Sequence, residues 1–271
     1  MKQCALLTGA SGGIGLELAR VMAKNNLDLI LVDIRPQELE NARIELQQLA
    51  PDCQITCIVE DLAQPEAAEK VLSCAEIKGQ SIDVLVNNAG FGIFGFFAET
   101  DWERENRMIH LHVLTLTRLT KLLMPLMIER GRGKILNIAS MAGFQPSPLM
   151  SIYYATKAYV LSFTQSIANE LKGTGVSATV LCPGMVPTGF QKTVGAGRTK
   201  FSAKSSWMVT PVEYVAQFGY DAMMRGKSVA IPGAFNVLVA FLVRFVPRDM
   251  VTRFLRRAQE KNRAGQSAGK A

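Results

Sequence analysis

Histidines are few in this chain and its cysteines follow no ligand pattern, which excludes several kinds of site. The 271 residues include two histidines and five cysteines, an odd number without any CxxC pair. Cys53 and Cys57 lie four positions apart but have no histidine-rich partner segment. Structural zinc sites and disulfide frameworks both need several such residues at defined spacings. We therefore predict no metal site and expect the chain to work in a reducing compartment, the cytoplasm.

Long apolar runs are also missing. The most lipid-like stretch, residues 237–243, is far shorter than the ~20 apolar residues that span a bilayer. The apolar stretch at residues 1–8 is too short for a signal peptide and leads directly into a glycine-rich turn. We expect neither a membrane-spanning helix nor a secretion signal.

Excess positive charge is absent from most of the chain. The net charge is +7, but residues 244–271 hold eight basic and two acidic residues, so this tail carries +6 and residues 1–243 only +1. A nucleic-acid-binding body needs basic residues spread over a folded surface. Nucleic acid is therefore not an expected partner.

Apolar strand patterns alternate with longer helical patterns along most of the sequence. With 48% hydrophobic residues, this alternation predicts an α/β fold, a doubly wound parallel (Rossmann-like) sheet with helices on both faces. We expect one dinucleotide-binding and catalytic domain at residues 1–232, with a substrate lid at about 185–210. An apolar and basic helical extension should follow at 233–258, and a disordered tail at 259–271.

A glycine-rich turn joins the first predicted strand to the first predicted helix, with the spacing Gly-x3-Gly-x-Gly. Glycine lets backbone turn tightly and approach a ligand, and a helix N-terminus offers free N–H groups to phosphate. The turn therefore predicts a dinucleotide cradle, although the general fingerprint is Gly-x-Gly-x2-Gly. Its residues are Gly9, Ser11, Gly12, Gly13, Ile14 and Gly15.

The second predicted strand ends on Asp33, eighteen positions after Gly15. A carboxylate there accepts hydrogen bonds from the adenosine ribose and repels a 2′-phosphate, which favours NAD. Arg35 could instead pair with a 2′-phosphate if its loop turned inward, or it could be solvated. NADP therefore stays open as the cofactor.

Tyr153 and Lys157 lie four positions apart on a predicted helix, and Ser140 ends the preceding strand. Residues at this spacing share a helix face, so the ammonium favours the ionised form of the phenol. Tyr153 is thus a candidate acid and base. Other polar and turn-forming residues follow the predicted strands, where ligands bind in such sheets.

Taken in order, these motifs resemble the short-chain dehydrogenase/reductase family over about residues 2–232. The motifs are Thr8-Gly-x3-Gly13-x-Gly15, Asp61, Asn87-Asn-Ala-Gly90, Ser140, Tyr153-x3-Lys157 and Pro183-Gly184. The resemblance implies an NAD(P)-dependent oxidoreductase that forms dimers or tetramers.

The resemblance also implies contacts with the cofactor. Asp61 would contact the adenine with Leu62 beside it, and Lys157 would hold the nicotinamide ribose. Asn88, Ala89 and Gly90 would flank the adenine ribose, and Pro183, Gly184, Val186 and Thr188 would border the nicotinamide.

The implied chemistry is hydride transfer between nicotinamide and a carbonyl or secondary alcohol. Tyr153 would exchange the proton with the substrate oxygen while Ser140 hydrogen-bonds that oxygen. Lys157 and the nicotinamide cation would lower the pKa of the phenol.

His112 stands where the family's fourth catalytic residue, an asparagine, is expected, and His110 is the near alternative. A neutral imidazole can donate and accept, so a proton relay is physically allowed, but a cationic ring would oppose Lys157. We hypothesise that His112 weakens proton exchange, so that His112→Asn raises turnover. Alternatively, His112 only fills the helix surface.

Aromatic residues near the predicted site favour an apolar carbonyl or alcohol as substrate. They are Phe91, Phe94, Phe96, Phe97 and Phe144, together with Ile93. Residues 235–257 combine an apolar stretch with arginines. This predicts either peripheral contact with anionic lipid or packing on a subunit or on the chain itself. A second function stays open: a nucleotide-binding regulatory or scaffold protein with weakened catalysis.

Overall fold

The computed structural model describes residues 2–77, 80–190 and 209–267. Seven strands form one parallel sheet in the order β3-β2-β1-β4-β5-β6-β7. The strands are β1 (Cys4–Thr8), β2 (Asp28–Asp33), β3 (Ile55–Val59), β4 (Ile82–Asn87), β5 (Gly133–Ile138), β6 (Val176–Leu181) and β7 (Val229–Ala230). The chain order reverses between β1 and β4, which opens a ligand crevice at the carboxyl ends of these strands.

Helices cover both faces of the sheet, as the alternating pattern predicted. One core layer packs α1, α2 and α7 on the sheet, and the other packs α3, α5 and α6. The helices are α1 (Gly13–Lys24), α2 (Pro36–Leu49), α3 (Ala67–Ile77), α4 (Trp102–Ile109), α5 (Leu116–Glu129), α6 (Ser151–Glu170), α7 (Val212–Met224), α8 (Ala234–Leu242) and α9 (Arg248–Ser267). The doubly wound fold is therefore confirmed.

The helical run over residues 102–129 is interrupted. A π-helical turn, His110–Thr115, separates α4 from α5 and buries His112 and Thr115. Such turns are frequent at functional sites. The helical run Trp102–Glu129 is long and apolar enough to cross a membrane by length and composition, with 39% of its most apolar window buried. Leu119 and Leu123 of this helical run are buried in the core layer that packs α3, α5 and α6 on the sheet.

The C-terminal helix is longer than predicted. α9 extends to Ser267, whereas we predicted disorder from residue 259. That prediction is wrong for 259–267, because Glu260, Lys261 and Arg263 are good helix formers that continue the helical pattern. Residues 268–271 lie outside the described residues.

The predicted lid lies partly outside the described residues, at 191–208. Its two ends are held together, because Met185 pairs with Val209 in a parallel bridge and the N–H of Thr210 donates to the Met185 carbonyl at 3.0 Å. Met185 and residues 209–210 therefore lie together after β6.

Candidate active site

The glycine-rich turn has the shape of a phosphate cradle. Gly9 and Gly13 have φ angles of +64° and +56°, a region that favours glycine. A Cβ on Gly15 would overlap the Gly9 carbonyl oxygen and lie 2.5 Å from Asn88 Nδ2. Gly12 caps α1 without any side-chain hydrogen bond, which leaves the first N–H groups of the helix for a ligand. The turn therefore fits a dinucleotide pyrophosphate.

Asn88 fastens this turn to the end of β4. Its Nδ2 donates to the carbonyl oxygens of Thr8 and Gly9 at 2.9 and 3.0 Å. The Thr8 hydroxyl in turn accepts from the backbone N–H groups of Asn88 and Ala89. Asn88 and Ala89 therefore lie at the crevice as predicted, and the Asn88 amide also holds the cradle in shape.

Asp33 and Arg35 form a pair beside the cradle. Arg35 Nε donates to Asp33 Oδ1 at 3.1 Å, and its Nη2 donates to Ser11 Oγ at 2.6 Å. Burial raises the pKa of Asp33, but hydrogen bonds from Arg35 and Ser11 outweigh it and hold the pKa below its usual value. The Arg35 side chain therefore points toward the glycine-rich turn. This is one of the two possibilities that the sequence left open.

Asp61 and Leu62 lie on the same side of the crevice. The Asp61 carboxylate accepts from Arg107 Nη2 at 2.9 Å and from Gln64 Nε2 at 3.0 Å. Leu62 is buried and its carbonyl accepts from the Thr115 hydroxyl at 2.7 Å. This segment is therefore fixed to α4 and to the π-helical turn.

The residues predicted at the nicotinamide end follow β6. The Thr188 side chain lies 3.3 Å from the position of a Cβ on Gly13, so the predicted nicotinamide end lies beside the predicted phosphate cradle. Val186 packs against the core layer that includes α1, and the Pro183 carbonyl accepts from the Met141 N–H at 2.9 Å. A Cβ on Gly184 would lie 2.8 Å from Asn236 of α8.

Ser140, Tyr153 and Lys157 come together at the carboxyl ends of β5 and β6. The Tyr153 phenol hydrogen-bonds the Ser140 side chain. Ser140 Oγ also accepts from the Ala142 N–H at 3.1 Å, so this hydroxyl caps a short 3-10 turn as well. Lys157 Nζ donates to the Ile138 carbonyl at 2.8 Å and lies 5.9 Å from the centre of the Tyr153 ring.

The protein alone does not tune the phenol as predicted. Burial raises the pKa of Tyr153 well above its usual value, and the Ser140 hydrogen bond opposes this only in part. Burial also lowers the pKa of Lys157 to about 8. In the protein itself, burial is therefore the largest influence on both pKa values. The expectation that Lys157 and the nicotinamide cation together lower the phenol pKa stays a prediction.

Comparison with known proteins agrees with this arrangement. A family model described as short chain dehydrogenase matches residues 3–199. The chain belongs to the short-chain dehydrogenase family. It is an oxidoreductase of that family.

Three similar proteins illustrate the relationship. The ketoacyl reductase HetN of Nostoc sp. is 36% identical over 181 residues, which are 67% of this chain and 62% of that protein, less than two-thirds of its length. The very-long-chain 3-oxoacyl-CoA reductase of Anas platyrhynchos is 29% identical over 96% of this chain and 81% of that protein. A short-chain dehydrogenase from Sphingobium yanoikuyae, solved in complex with NADPH, superposes with a TM-score of 0.75 at 28% identity, covering 91% of this chain and 97% of its own.

His112 stands where the family pattern led us to expect an asparagine. Both ring nitrogens of His112 make hydrogen bonds to protein groups. The Phe91 N–H donates to Nε2 at 3.2 Å, so Nε2 is unprotonated. Nδ1 then carries the proton and donates to Thr156 Oγ1 at 3.0 Å. Thr156 in turn donates to the Tyr153 carbonyl at 2.8 Å. A continuous chain of hydrogen bonds thus links the loop after β4 to the turn of α6 that holds Tyr153.

With both nitrogens bonded to protein groups, the His112 ring has none free to relay a proton. This agrees with the hypothesis that His112 weakens proton exchange, and the higher turnover expected of His112→Asn stays a prediction. The ring is also buried, so the alternative that it only fills the helix surface is wrong. Sequence reasoning missed its partner Thr156, although a threonine three positions after Tyr153 can reach back to the Tyr153 carbonyl.

The pH dependence of the free energy of unfolding should reflect the burial of the His112 ring. Burial, and then the Lys157 charge, hold the pKa of His112 well below 6.5 in the folded protein. Below about pH 6.5, His112 therefore binds a proton in the unfolded chain but stays neutral in the folded protein. We expect the free energy of unfolding to fall by up to about 1.4 kcal/mol per pH unit from this group.

Urea unfolding between pH 7 and 5.5 measures this slope in the native protein and in His112→Gln. His110→Gln is the matched control, since the chain has two histidines. The assignment fails if His112→Gln retains the native slope or if His110→Gln removes it.

Apolar side chains surround the Tyr153 ring. Phe190 and Tyr154 lie with ring centres 5.5 and 6.0 Å from it. Ile93 is buried in the same cluster, and Phe91 packs against it. Phe97 is instead 61% exposed, so only part of the predicted aromatic set lines this region.

Proposed function

We propose that this short-chain dehydrogenase transfers hydride between NAD(P) and the carbonyl carbon of an apolar substrate, with Tyr153 exchanging the proton. The observation that carries this proposal is a buried phenol bonded to Ser140, with Lys157 on the same helix face and the cradle alongside. A tyrosine that only packs in the core would not need a lysine beside it. Burying the charged lysine costs free energy, so a functional reason for its position is expected.

The protein residues have separate tasks in the reduction. When bound, nicotinamide supplies the hydride that forms the new C–H bond, and the carbonyl electron pair moves to oxygen. Ser140 hydrogen-bonds that oxygen, and the Tyr153 O–H bond breaks as its proton passes to it. Lys157 stabilises the tyrosinate that remains. In the oxidation, the tyrosinate takes the proton back.

The apolar surroundings of Tyr153 support an aliphatic or alicyclic carbonyl compound rather than a sugar or a free acid. The Nostoc relative is named a ketoacyl reductase and the Anas relative a very-long-chain 3-oxoacyl-CoA reductase, which supports a ketoacyl substrate. We infer that a ketone on an acyl chain is a suitable substrate class.

A substrate panel tests the proposed function. Turnover of 3-oxoacyl thioesters of increasing chain length is measured with NADH and with NADPH, and sugar ketones serve as polar controls. We expect kcat/KM to rise with apolar chain length. Cofactor binding without turnover across the panel would instead favour the regulatory alternative.

We infer that the enzyme accepts NADP as well as NAD. Arg35 already neutralises Asp33, so the carboxylate repels a 2′-phosphate less than a free one would. Its side chain is 50% exposed and carries donors suited to a phosphate. The NADPH bound by the Sphingobium relative is consistent with this inference.

Arg35→Gln should separate the two cofactors. We expect kcat/KM for NADPH to fall about tenfold or more, since a hydrogen bond to a charged group contributes about 1.5–3 kcal/mol. The value for NADH should change little. Arg43→Gln is the matched control, because Arg43 is a partly exposed arginine of α2 that pairs with Glu40. Equal losses with NADH and NADPH would contradict the inference.

We also infer a homo-oligomer in the cytoplasm. Leu114 and Tyr159, on the π-helical turn and α6, are 50% and 38% exposed and offer a contact surface. Analytical ultracentrifugation of the native protein tests this inference.

A further inference from the structure

The C-terminal extension presents an apolar face to solvent. On α8, Phe241 and Leu242 are 53% and 49% exposed, and in the segment that follows Phe245 reaches 71%. In α9, Phe254 is 72% exposed. Large exposed apolar patches mark sites of interaction. We refer to the exposed apolar side chains of this extension together as the C-terminal face: Phe235, Val237, Leu238, Phe241, Leu242, Phe245, Met250 and Phe254.

Arginines border the same face. Met250, Arg253, Phe254 and Arg257 follow the i, i+3, i+4, i+7 spacing, so they share one side of α9. Arg244 and Arg248 are also exposed. Arginine side chains beside buried aromatic rings can extend to the headgroup level of a bilayer.

The helices that carry the C-terminal face border the active site through other side chains. The Asn236 side chain of α8 lies against Gly184 at the end of β6. At the other end, the phenol of Tyr154, next to Tyr153, hydrogen-bonds Gln259 of α9. α8 and α9 therefore flank the region that holds Tyr153 and are not a detached tail.

We propose that the C-terminal face docks on an anionic lipid surface. Residues 244–271 carry a net charge of +6, which complements anionic headgroups. Packing the same face on a second copy would bring two such segments together, and their like charges would repel. The sequence left lipid and subunit open, and the exposed fractions rule out packing of this face within the chain.

Docking would also place the active site near the lipid. Apolar substrate dissolved in the bilayer could then reach Tyr153 without crossing bulk water, a consequence that rests on the proposed function. The experiment below measures binding and not turnover, so a failure of docking is distinguishable from a failure of the proposed function.

Flotation of the full chain with vesicles tests the proposal. Vesicles of phosphatidylcholine alone are compared with vesicles containing phosphatidylglycerol, at low and high salt. We expect binding only to the anionic vesicles, and weaker binding at high salt. Phe245→Ser/Phe254→Ser and Arg253→Gln/Arg257→Gln should each lower the partition coefficient about tenfold or more.

Two matched controls remove similar groups elsewhere. Arg225→Gln/Lys227→Gln deletes two exposed charges at the end of α7, and Tyr214→Ser deletes an aromatic residue that is 49% exposed. Both should bind vesicles like the native chain. The proposal is overturned if the controls lose binding equally, if neutral vesicles bind as well, or if no vesicle binds. It is also overturned if Phe245→Ser/Phe254→Ser lowers the mass in sedimentation equilibrium without changing vesicle binding, which would assign the face to a second copy.

Discussion

Tyr153→Phe should lower kcat by at least about a hundredfold, because positioned proton transfer contributes about 10²–10⁴ to the rate. The phenylalanine ring keeps the contacts with Phe190 and Tyr154 but has no hydroxyl to bond Ser140. Cofactor affinity should stay within about threefold of the native value, because the cradle at Gly9–Gly15 is untouched. Single-turnover kinetics with NADPH and a 3-oxoacyl thioester measure the loss, and fluorescence titration measures the binding.

Tyr154→Phe is the matched control. Its hydroxyl bonds Ser147 and Gln259 and not Ser140, so its removal deletes a phenol at the same site without removing the proton donor. We expect it to retain most of the native turnover. Native activity in Tyr153→Phe, or an equal loss in both variants, would refute the assignment of Tyr153.

Gly15→Ala should destabilise the fold and abolish cofactor binding. The added methyl group would overlap the Gly9 carbonyl oxygen and crowd Asn88 Nδ2, which are backbone and a bonded amide. Neither can move without opening the cradle. We expect a loss of about 3 kcal/mol or more in the free energy of unfolding, at the upper end for overpacking, together with loss of cofactor binding.

Gly12→Ala separates this clash from a general effect of added methyl groups. Gly12 has a φ of −177°, which any residue adopts, and a Cβ there would meet only Arg35 Nη2, at 3.7 Å. Its free energy of unfolding should change by less than about 1 kcal/mol. Urea unfolding of the two variants side by side measures the difference. Equal stabilities would show that Gly15 is not under the steric constraint described above.

The sheet and most helix positions were predictable because they depend on local patterns. Strands and helices alternate as the apolar pattern predicted, and polar residues follow the strand ends. Apolar runs and turn residues encode this information directly, since each strand must be buried and each connection must be polar. The approach of Ser140 to Tyr153 followed from the parallel sheet and the start of α6.

Other features were not readable from local patterns. The π-helical turn at His110–Thr115 inserts no glycine or proline that would signal it. The direction of the Arg35 side chain depends on Asp33 and Ser11 together. The pKa values of Tyr153 and Lys157 depend on how much protein surrounds them, which the spacing of four residues does not reveal.

The amino-acid sequence by itself determined the doubly wound sheet, the family, the dinucleotide cradle and the identity of Ser140, Tyr153 and Lys157 as candidates. These follow from residue types at short spacings, where backbone geometry leaves few alternatives. Only the tertiary structure decided that His112 joins Phe91 to Thr156 and that α8 and α9 border the active site. Such contacts join residues far apart in the chain, so they exist only after the elements have packed.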